Sequence, residues 1–270
     1  MTTVKAPATQ AVLEQIHLVV EEVIHPRWRN LDAGEIDEKR PGDLVTVADR
    51  ESEEVLTEWF AMVAPDALVV GEEAVFSNPS LPEGLAAAEL AYTVDPVDGT
   101  RNFASGSPDY GVMVAELRRG VTTRSWIVQP EHGRDFVAER GAGATLNGSA
   151  LPALVASSAP RGMSSRRELH DVTIADDWQP VTETALCCAI DYPMLALGEV
   201  DFVCYWNLNP WDHLPGALLI RELGGSVALL EGGEYQLSLT QKGLVAGSSS
   251  EVTETVRRRW RQLLDERPAR

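Results

Sequence analysis

The stretch Asp95-Pro96-Val97-Asp98-Gly99-Thr100-Arg101-Asn102-Phe103, DPVDGTRNF, follows the apolar run AYTV (91–94) and decides how this chain is read. A buried strand that ends on carboxylates is costly unless something positive meets the charge. Pro96 fixes φ, so the Asp95 and Asp98 carboxylates can converge across one turn. The carbonyl of Val97 can point the same way. Gly99 lets the chain turn sharply, and the N–H groups of Gly99 and Thr100 can face an anion. Taken alone, D-P-x-D is equally compatible with an Asx-turn leading into a helix cap.

Two further segments repeat the theme. Gly71-Glu72-Glu73 closes the apolar run ALVVG (67–71), and Trp211-Asp212 precedes an apolar helical pattern. Hard divalent cations such as Mg²⁺ take oxygen ligands from carboxylates, carbonyls and water. No GxxxxGK[ST], GxSxG, HExxH or strand-following GxGxxG occurs, and the five histidines show no ligand spacing. The simplest nucleophilic, zinc and dinucleotide chemistries therefore drop out. His17 and His25 read as surface or packing residues of the first helix.

Outward from these motifs, the periodicity predicts a helix over about 9–25 that closes near Pro26, and a second that follows Asp49. GVMVAEL, TRSWIVQ and RDFVAER read as an antiparallel meander with turns at Arg119-Gly120, His132-Gly133 and Asn147-Gly148. The region 150–182 shifts to Ser, Arg, Asp and Pro. Beyond it, the pattern predicts helices over 184–197 and 213–223 and from 250, with strands at 201–206, 226–231 and 243–246. The expectation is two α/β halves in one body, 1–150 and 151–270, meeting along a crevice.

The chain has 270 residues and a net charge of −18, from 23 Lys and Arg against 41 Asp and Glu. Such a surface argues against nucleic-acid and anionic-membrane partners, and against a nuclease, which need a basic footprint. Bound cations can still reverse the local field for a phosphate. Cys187, Cys188 and Cys204 are an odd set without ligand spacing, expected reduced and mostly buried, hence a cytoplasmic location. The N-terminus lacks a signal-peptide pattern, and no run approaches a membrane span. The tail RRRWRQLLDERPAR (257–270) reads as a solvated terminal helix.

DPVDGTRNF resembles the D-P-[IVL]-D-G-T-x-N-F signature of the inositol monophosphatase family. GEE (71–73), DLVTVAD (43–49), GAGATLNG (141–148) and WDHLPGALLIRELGG (211–225) resemble its other motifs, in the same order. The resemblance spans about residues 10–247. It implies a layered αβαβα α+β sandwich, with a largely antiparallel N-terminal sheet and a mixed C-terminal one. It also implies Mg²⁺-dependent hydrolysis of a phosphate monoester, with two or three ions per site, and commonly a homodimer. By position, Glu72, Asp95 and the Val97 carbonyl would hold one ion, and Asp95, Asp98 and Asp212 a second. Asp98, Gly99 and Thr100 would meet the phosphate. Asp49, accepting from the Thr100 hydroxyl, would help orient the attacking water, with Glu72 also catalytic. Lys39 would match a basic residue near the site.

The departures concern the substrate. Where the family carries R-S-x-G-[ST]-A-A, this chain reads Glu183-Thr184-Ala185-Leu186-Cys187-Cys188-Ala189, and Tyr205 replaces an acidic residue that grips inositol hydroxyls. Cys187, Cys188 and Tyr205, with Trp206 and Asn207, would form a flatter, more aromatic wall, unless the aromatics are strand-end packing. Leu214-Pro215 stands where two small residues are usual, and Pro215 is expected in the first turn of its helix. Inositol phosphate, sugar phosphate, histidinol phosphate and nucleoside 3′,5′-bisphosphate are the candidate substrates. A non-catalytic metal- or phosphate-binding protein on the same scaffold is the alternative.

Overall fold

The computed structural model describes residues 4–266. The last four residues of the basic tail and the first three of the chain lie outside the described residues. Helix α1 (Thr9–Val19) runs on through a π-type turn, Val20–Ile24, to the region of Pro26. A hairpin of β1 (Ile36–Arg40) and β2 (Asp43–Thr46) leads into α2 (Val47–Val63). That helix starts earlier than expected, so Asp49 is inside it rather than ahead of it. The reason is a capping box: Thr46 accepts from the Asp49 N–H, and Asp49 Oδ2 accepts from Thr46 N at 2.8 Å.

Seven strands follow, interrupted by two short helices. They are β3 (Leu68–Gly71), β4 (Ala91–Asp98), β5 (Gly111–Arg118), β6 (Val121–Gln129), β7 (Arg134–Glu139), β8 (Gly143–Leu146) and β9 (Ser149–Ala150). The helices are α3 (Glu72–Ser77) and α4 (Thr100–Ala104). The strands pair in sequence order, β3 parallel to β4 and the rest antiparallel. A second sheet, in order β11-β10-β12-β14-β13, is mixed. Its strands are β10 (Gly162–Ser164), β11 (Thr182–Glu183), β12 (Phe202–Tyr205), β13 (Ser226–Leu229) and β14 (Leu244–Gly247). Helices α5 (Cys188–Ala196), α6 (Pro210–Glu222) and α7 (Ser250–Asp265) complete the chain.

The layering follows from period-2 alternation on strands buried on both faces. In β5, Val112 and Val114 pack with α1 and α2, while Met113, Ala115 and Leu117 face the core shared with α5 and α6. In β12, Val203 and Tyr205 point into that same middle core. Phe202 and Cys204 point outward to Val252, Val256 and Trp260 of α7. The order α1/α2, large sheet, α5/α6, small sheet, α7 is the expected αβαβα sandwich. No helix among the described residues is long and apolar enough to cross a membrane. Cys187, Cys188 and Cys204 are free and buried. His17 and His25, half-exposed, pair with Asp135 and Glu131.

Two helix starts differ from the sequence pattern. α6 begins at Pro210, behind Asn209, so Pro215 lies in its interior and not in its first turn. It removes the N–H that the Trp211 carbonyl would otherwise accept. α5 begins only at Cys188, because Leu186 holds φ +58°, outside helical space.

Candidate active site

Three segments deliver carboxylates to one point. Glu72 opens α3 directly after β3, Asp95 lies in β4, and Asp212 sits in the first turn of α6. One ligand oxygen from each lies within 4.8 Å of the other two. Asp95 is 2% exposed, and its Oδ1 has no hydrogen-bond partner among the described residues. Burial, then the charges of Glu72, Asp98 and Asp212, hold its carboxyl well above the usual range. Asp212 is raised likewise, by burial and then by Glu72 and Asp98. Buried acceptors seldom stay unpaired, and clustered carboxylates of this kind are the hard-oxygen donor set that divalent cations take. The residues present therefore fit magnesium.

Around this cluster the neighbouring groups are tied down. Thr100 Oγ1 donates to Asp49 Oδ1 at 2.9 Å, with the Val97 carbonyl 3.1 Å away as a second acceptor. Asp49 is buried, and desolvation pushes its carboxyl up to about 6 despite the hydrogen bonds from Thr46 and Thr100. Gly99, at φ +85°, makes the turn into α4, where a side chain would press on Cys187 and on the Asp109 carbonyl. Lys39 Nζ donates to Glu72 at 2.7 Å and to Glu73 at 2.9 Å, so it joins the metal-side cluster from the β1–β2 hairpin.

Asp98 is not one of the three converging carboxylates. Its Oδ2 accepts from the Ala189 N–H at the start of α5 and from the Cys187 thiol at 3.0 Å. The thiol is thus a hydrogen-bond donor to an acid, and burial and the Asp98 charge push its pKa up. A neutral thiol in this setting is no nucleophile.

Asp98 and Asp212 both open onto a cavity of about 370 Å³ that Cys187, Cys188, Tyr205 and Asn207 also line. Although Tyr205 borders this space, its hydroxyl is already engaged. The ring is 5% exposed, stacked with Tyr192, and its hydroxyl donates to Asp191 Oδ2 at 3.0 Å. Trp206 does not offer a clear face either, since the Arg166 guanidinium sits 4.8 Å over its ring.

Two functional-looking acids escape sequence reasoning. Asp191 is fully buried, accepts from Ala185 N at 2.8 Å, and is pushed up to about 7 mainly by desolvation. Glu53 accepts from Glu73 N at 2.8 Å and Ala74 N at 2.7 Å, and burial lifts it to about 7. Neither belongs to a motif. For Asp191 the available signal was a lone carboxylate within the apolar pattern CAIDYPMLA, whereas Glu53 is hidden among the charged neighbours of DRESEE.

Residues 2–264 match the model of the inositol monophosphatase family. The chain belongs to that family. It is accordingly a phosphomonoesterase of the inositol monophosphatase type. A putative Nus factor SuhB of Neisseria meningitidis serogroup A is 32% identical over 224 residues, covering 75% of this chain and 80% of the relative. A fructose-1,6-bisphosphatase/inositol-1-monophosphatase of Thermotoga maritima is 27% identical over 210 residues, covering 74% and 78%. Among solved structures, an inositol monophosphatase of Thermotoga maritima superposes with a TM-score of 0.76 at 22% identity. That match covers 94% of this chain and 98% of the other. At that identity the likeness is one of fold.

Proposed function

We propose that this family member hydrolyses a small phosphate monoester using magnesium held by Glu72, Asp95 and Asp212, with the Val97 carbonyl and Asp98 completing a set of two or three ions. The observation that carries this reading is the convergence of three carboxylates around the unpaired Asp95 Oδ1. Magnesium, when bound, neutralises charge on the attacking and leaving oxygens and acidifies water. The chain's own residues then position. The Thr100 hydroxyl donates its hydrogen bond to Asp49, which leaves the oxygen lone pairs to accept from an incoming water. The N–H groups of Gly99 and Thr100 hold phosphate oxygens. Asp98 keeps α5 against this turn through Ala189 and Cys187. Phosphoryl transfer asks mainly for such positioning and charge neutralisation.

The substrate is a phosphorylated metabolite handled by a cytoplasmic homodimer. Several relatives carry the name Nus factor SuhB, and a non-catalytic role on this scaffold is the second reading. The retention of Asp49, Glu72, Asp95, Asp98, Thr100 and Asp212 favours catalysis. Phosphate release from a panel of phosphorylated metabolites, with millimolar Mg²⁺ and with EDTA, decides between them. Release that requires Mg²⁺ supports the phosphatase, and none above background on any compound supports the second reading.

A further inference from the structure

Arg166 stands just beyond β10 and lines the same cavity as Asp98 and Asp212. It is the one cationic side chain of that lining. His213, also at the wall, has both ring nitrogens engaged, Nδ1 with the Tyr192 hydroxyl at 3.1 Å and Nε2 with the Asn207 carbonyl at 2.8 Å. The residue is held at its guanidinium and at its backbone, with 35% of its side chain exposed. Its Nε donates to Glu168 at 2.6 Å, its plane lies over Trp206, and its backbone N–H donates to Ser164 Oγ at 3.0 Å. Glu168 is itself almost buried, with 7% of its side chain exposed. Trp206 leans in turn on Trp260, 6.1 Å away. The two Nη groups make no hydrogen bond among the described residues. Arg166 is therefore an oriented fork with its outer edge free, next to a cavity of metabolite size.

Such a residue is unexpected beside a cluster of carboxylates if it served only to balance them, because Glu168 already neutralises it. A pre-positioned guanidinium with an unused edge is suited to a planar or tetrahedral oxyanion, which it grips by two parallel hydrogen bonds. Ser165, Thr184 and Asn207 also border the cavity, but several of its other groups are already engaged or apolar. The Tyr205 hydroxyl is spent on Asp191, the Cys187 thiol on Asp98, and Leu186 is 53% exposed at the wall. We propose that the substrate carries a second anionic group, a carboxylate or a second phosphate, on the alcohol side of its ester, and that Arg166 binds that group. This rests on the phosphatase reading above and narrows its substrate class.

The test uses three compounds with one carbon skeleton: propyl phosphate, 3-(phosphonooxy)propanoate and propane-1,3-diyl bisphosphate. The wild-type protein with Mg²⁺ should show kcat/KM at least about tenfold higher for one or both two-anion compounds than for propyl phosphate, with the gain in KM. Which arm gains identifies the second anion as carboxylate or phosphate. Arg166→Gln should collapse that ratio at least about tenfold. Arg166→Lys, a point charge without the fork, should keep only part of it. A wild-type ratio near one, or a ratio that Arg166→Gln leaves intact, overturns the proposal. If the wild type hydrolyses none of the three, turnover of the metabolite panel tests the phosphatase reading. Calorimetric titration of the same compounds then decides the role of Arg166 separately. Tighter binding of a two-anion compound that Arg166→Gln abolishes supports it, and equal binding of all three overturns it.

Discussion

The carboxylate of Glu53 fills the space in which a side chain at Gly71 would begin. It is there because it accepts the first free amides of α3, those of Glu73 and Ala74. Glu53 on α2 thereby sets the direction in which Glu72 leaves β3. A methyl group at Gly71 must expel that carboxylate or move the chain. Expulsion leaves two N–H groups without their acceptor, at about 1–3 kcal/mol each when buried. Gly71→Ala should lower the melting temperature and cut kcat/KM at least about tenfold, because Glu72 is displaced. Glu53→Gln keeps one acceptor oxygen and should lose less on both counts. A Gly71→Ala protein with wild-type stability and activity would contradict this arrangement.

Asp95 is the side chain assigned to more than one ion, and its Oδ1 is the unpaired atom of the site. Asp95→Asn should leave at most a few per cent of wild-type kcat at saturating Mg²⁺, since several kcal/mol of transition-state stabilisation depend on that charge. The same change relieves repulsion among buried carboxylates, so the metal-free variant should melt at or above the wild-type temperature. Mg²⁺ should raise the wild-type melting temperature by mass action, by about 2.7 kcal/mol at a hundredfold excess over its dissociation constant. Scanning calorimetry with EDTA and with Mg²⁺ reads both effects. Identical wild-type melting curves in the two buffers would count against the metal site.

The pH dependence of the metal-free protein has a definite sign. Burial raises Asp49 to about 6 and Glu53, Glu73 and Asp191 to about 7, against ordinary values near 4. An acid raised on folding contributes stability that is complete below its unfolded pKa and is lost as pH rises through its folded one. His213 acts in the opposite sense. Held down at about 4, it costs stability as pH falls below its unfolded value of 6.5. One histidine against at least four acids leaves the acids dominant. Without metal, the melting temperature should fall from pH 5 to pH 8, and Asp191→Asn should remove part of that slope. A melting temperature that rises over the same interval would refute the assignment.

How legible was this in the sequence? The strand positions were, because AYTV, GVMVAEL and TRSWIVQ are apolar runs bounded by turn residues. Which residue faces which layer was not, since strands covered on both faces are apolar at odd and even positions alike. Glu72, Asp95 and Asp212 were legible as motif residues, although Asp98 turns to α5 rather than to the other three carboxylates. Tyr205 lines the cavity, but the engagement of its hydroxyl was not legible, because its partner, Asp191, belongs to another element and carries no motif. Arg166 gave no signal at all. Its meaning depends on Glu168 and Trp206 holding it at the cavity, and those contacts are tertiary.

Leu186 offers the sharpest test of how the cavity was reshaped. It occupies the place where the family signature has glycine, and it keeps a glycine-like backbone, φ +58°. That conformation costs a non-glycine residue about 1–2 kcal/mol, and burial offsets it only in part, since the residue is 53% exposed. Leu186→Gly removes this strain while adding about 0.5–1 kcal/mol of unfolded-chain entropy. The variant should therefore be as stable as the wild type or up to about 1 kcal/mol more so. Leu186→Ala keeps the strain and should gain nothing. The leucine side chain also takes up room at the cavity wall beside Thr184 and Cys187. Its removal should raise kcat/KM for a bulky polyol ester such as inositol 1-phosphate relative to propyl phosphate, by at least about threefold, while inositol 1-phosphate stays at least about tenfold below the best substrate in the wild type. A glycine variant that is less stable than the alanine variant would show that Leu186 is held by packing rather than tolerated under strain. An unchanged preference between the two esters would place it outside the substrate's path.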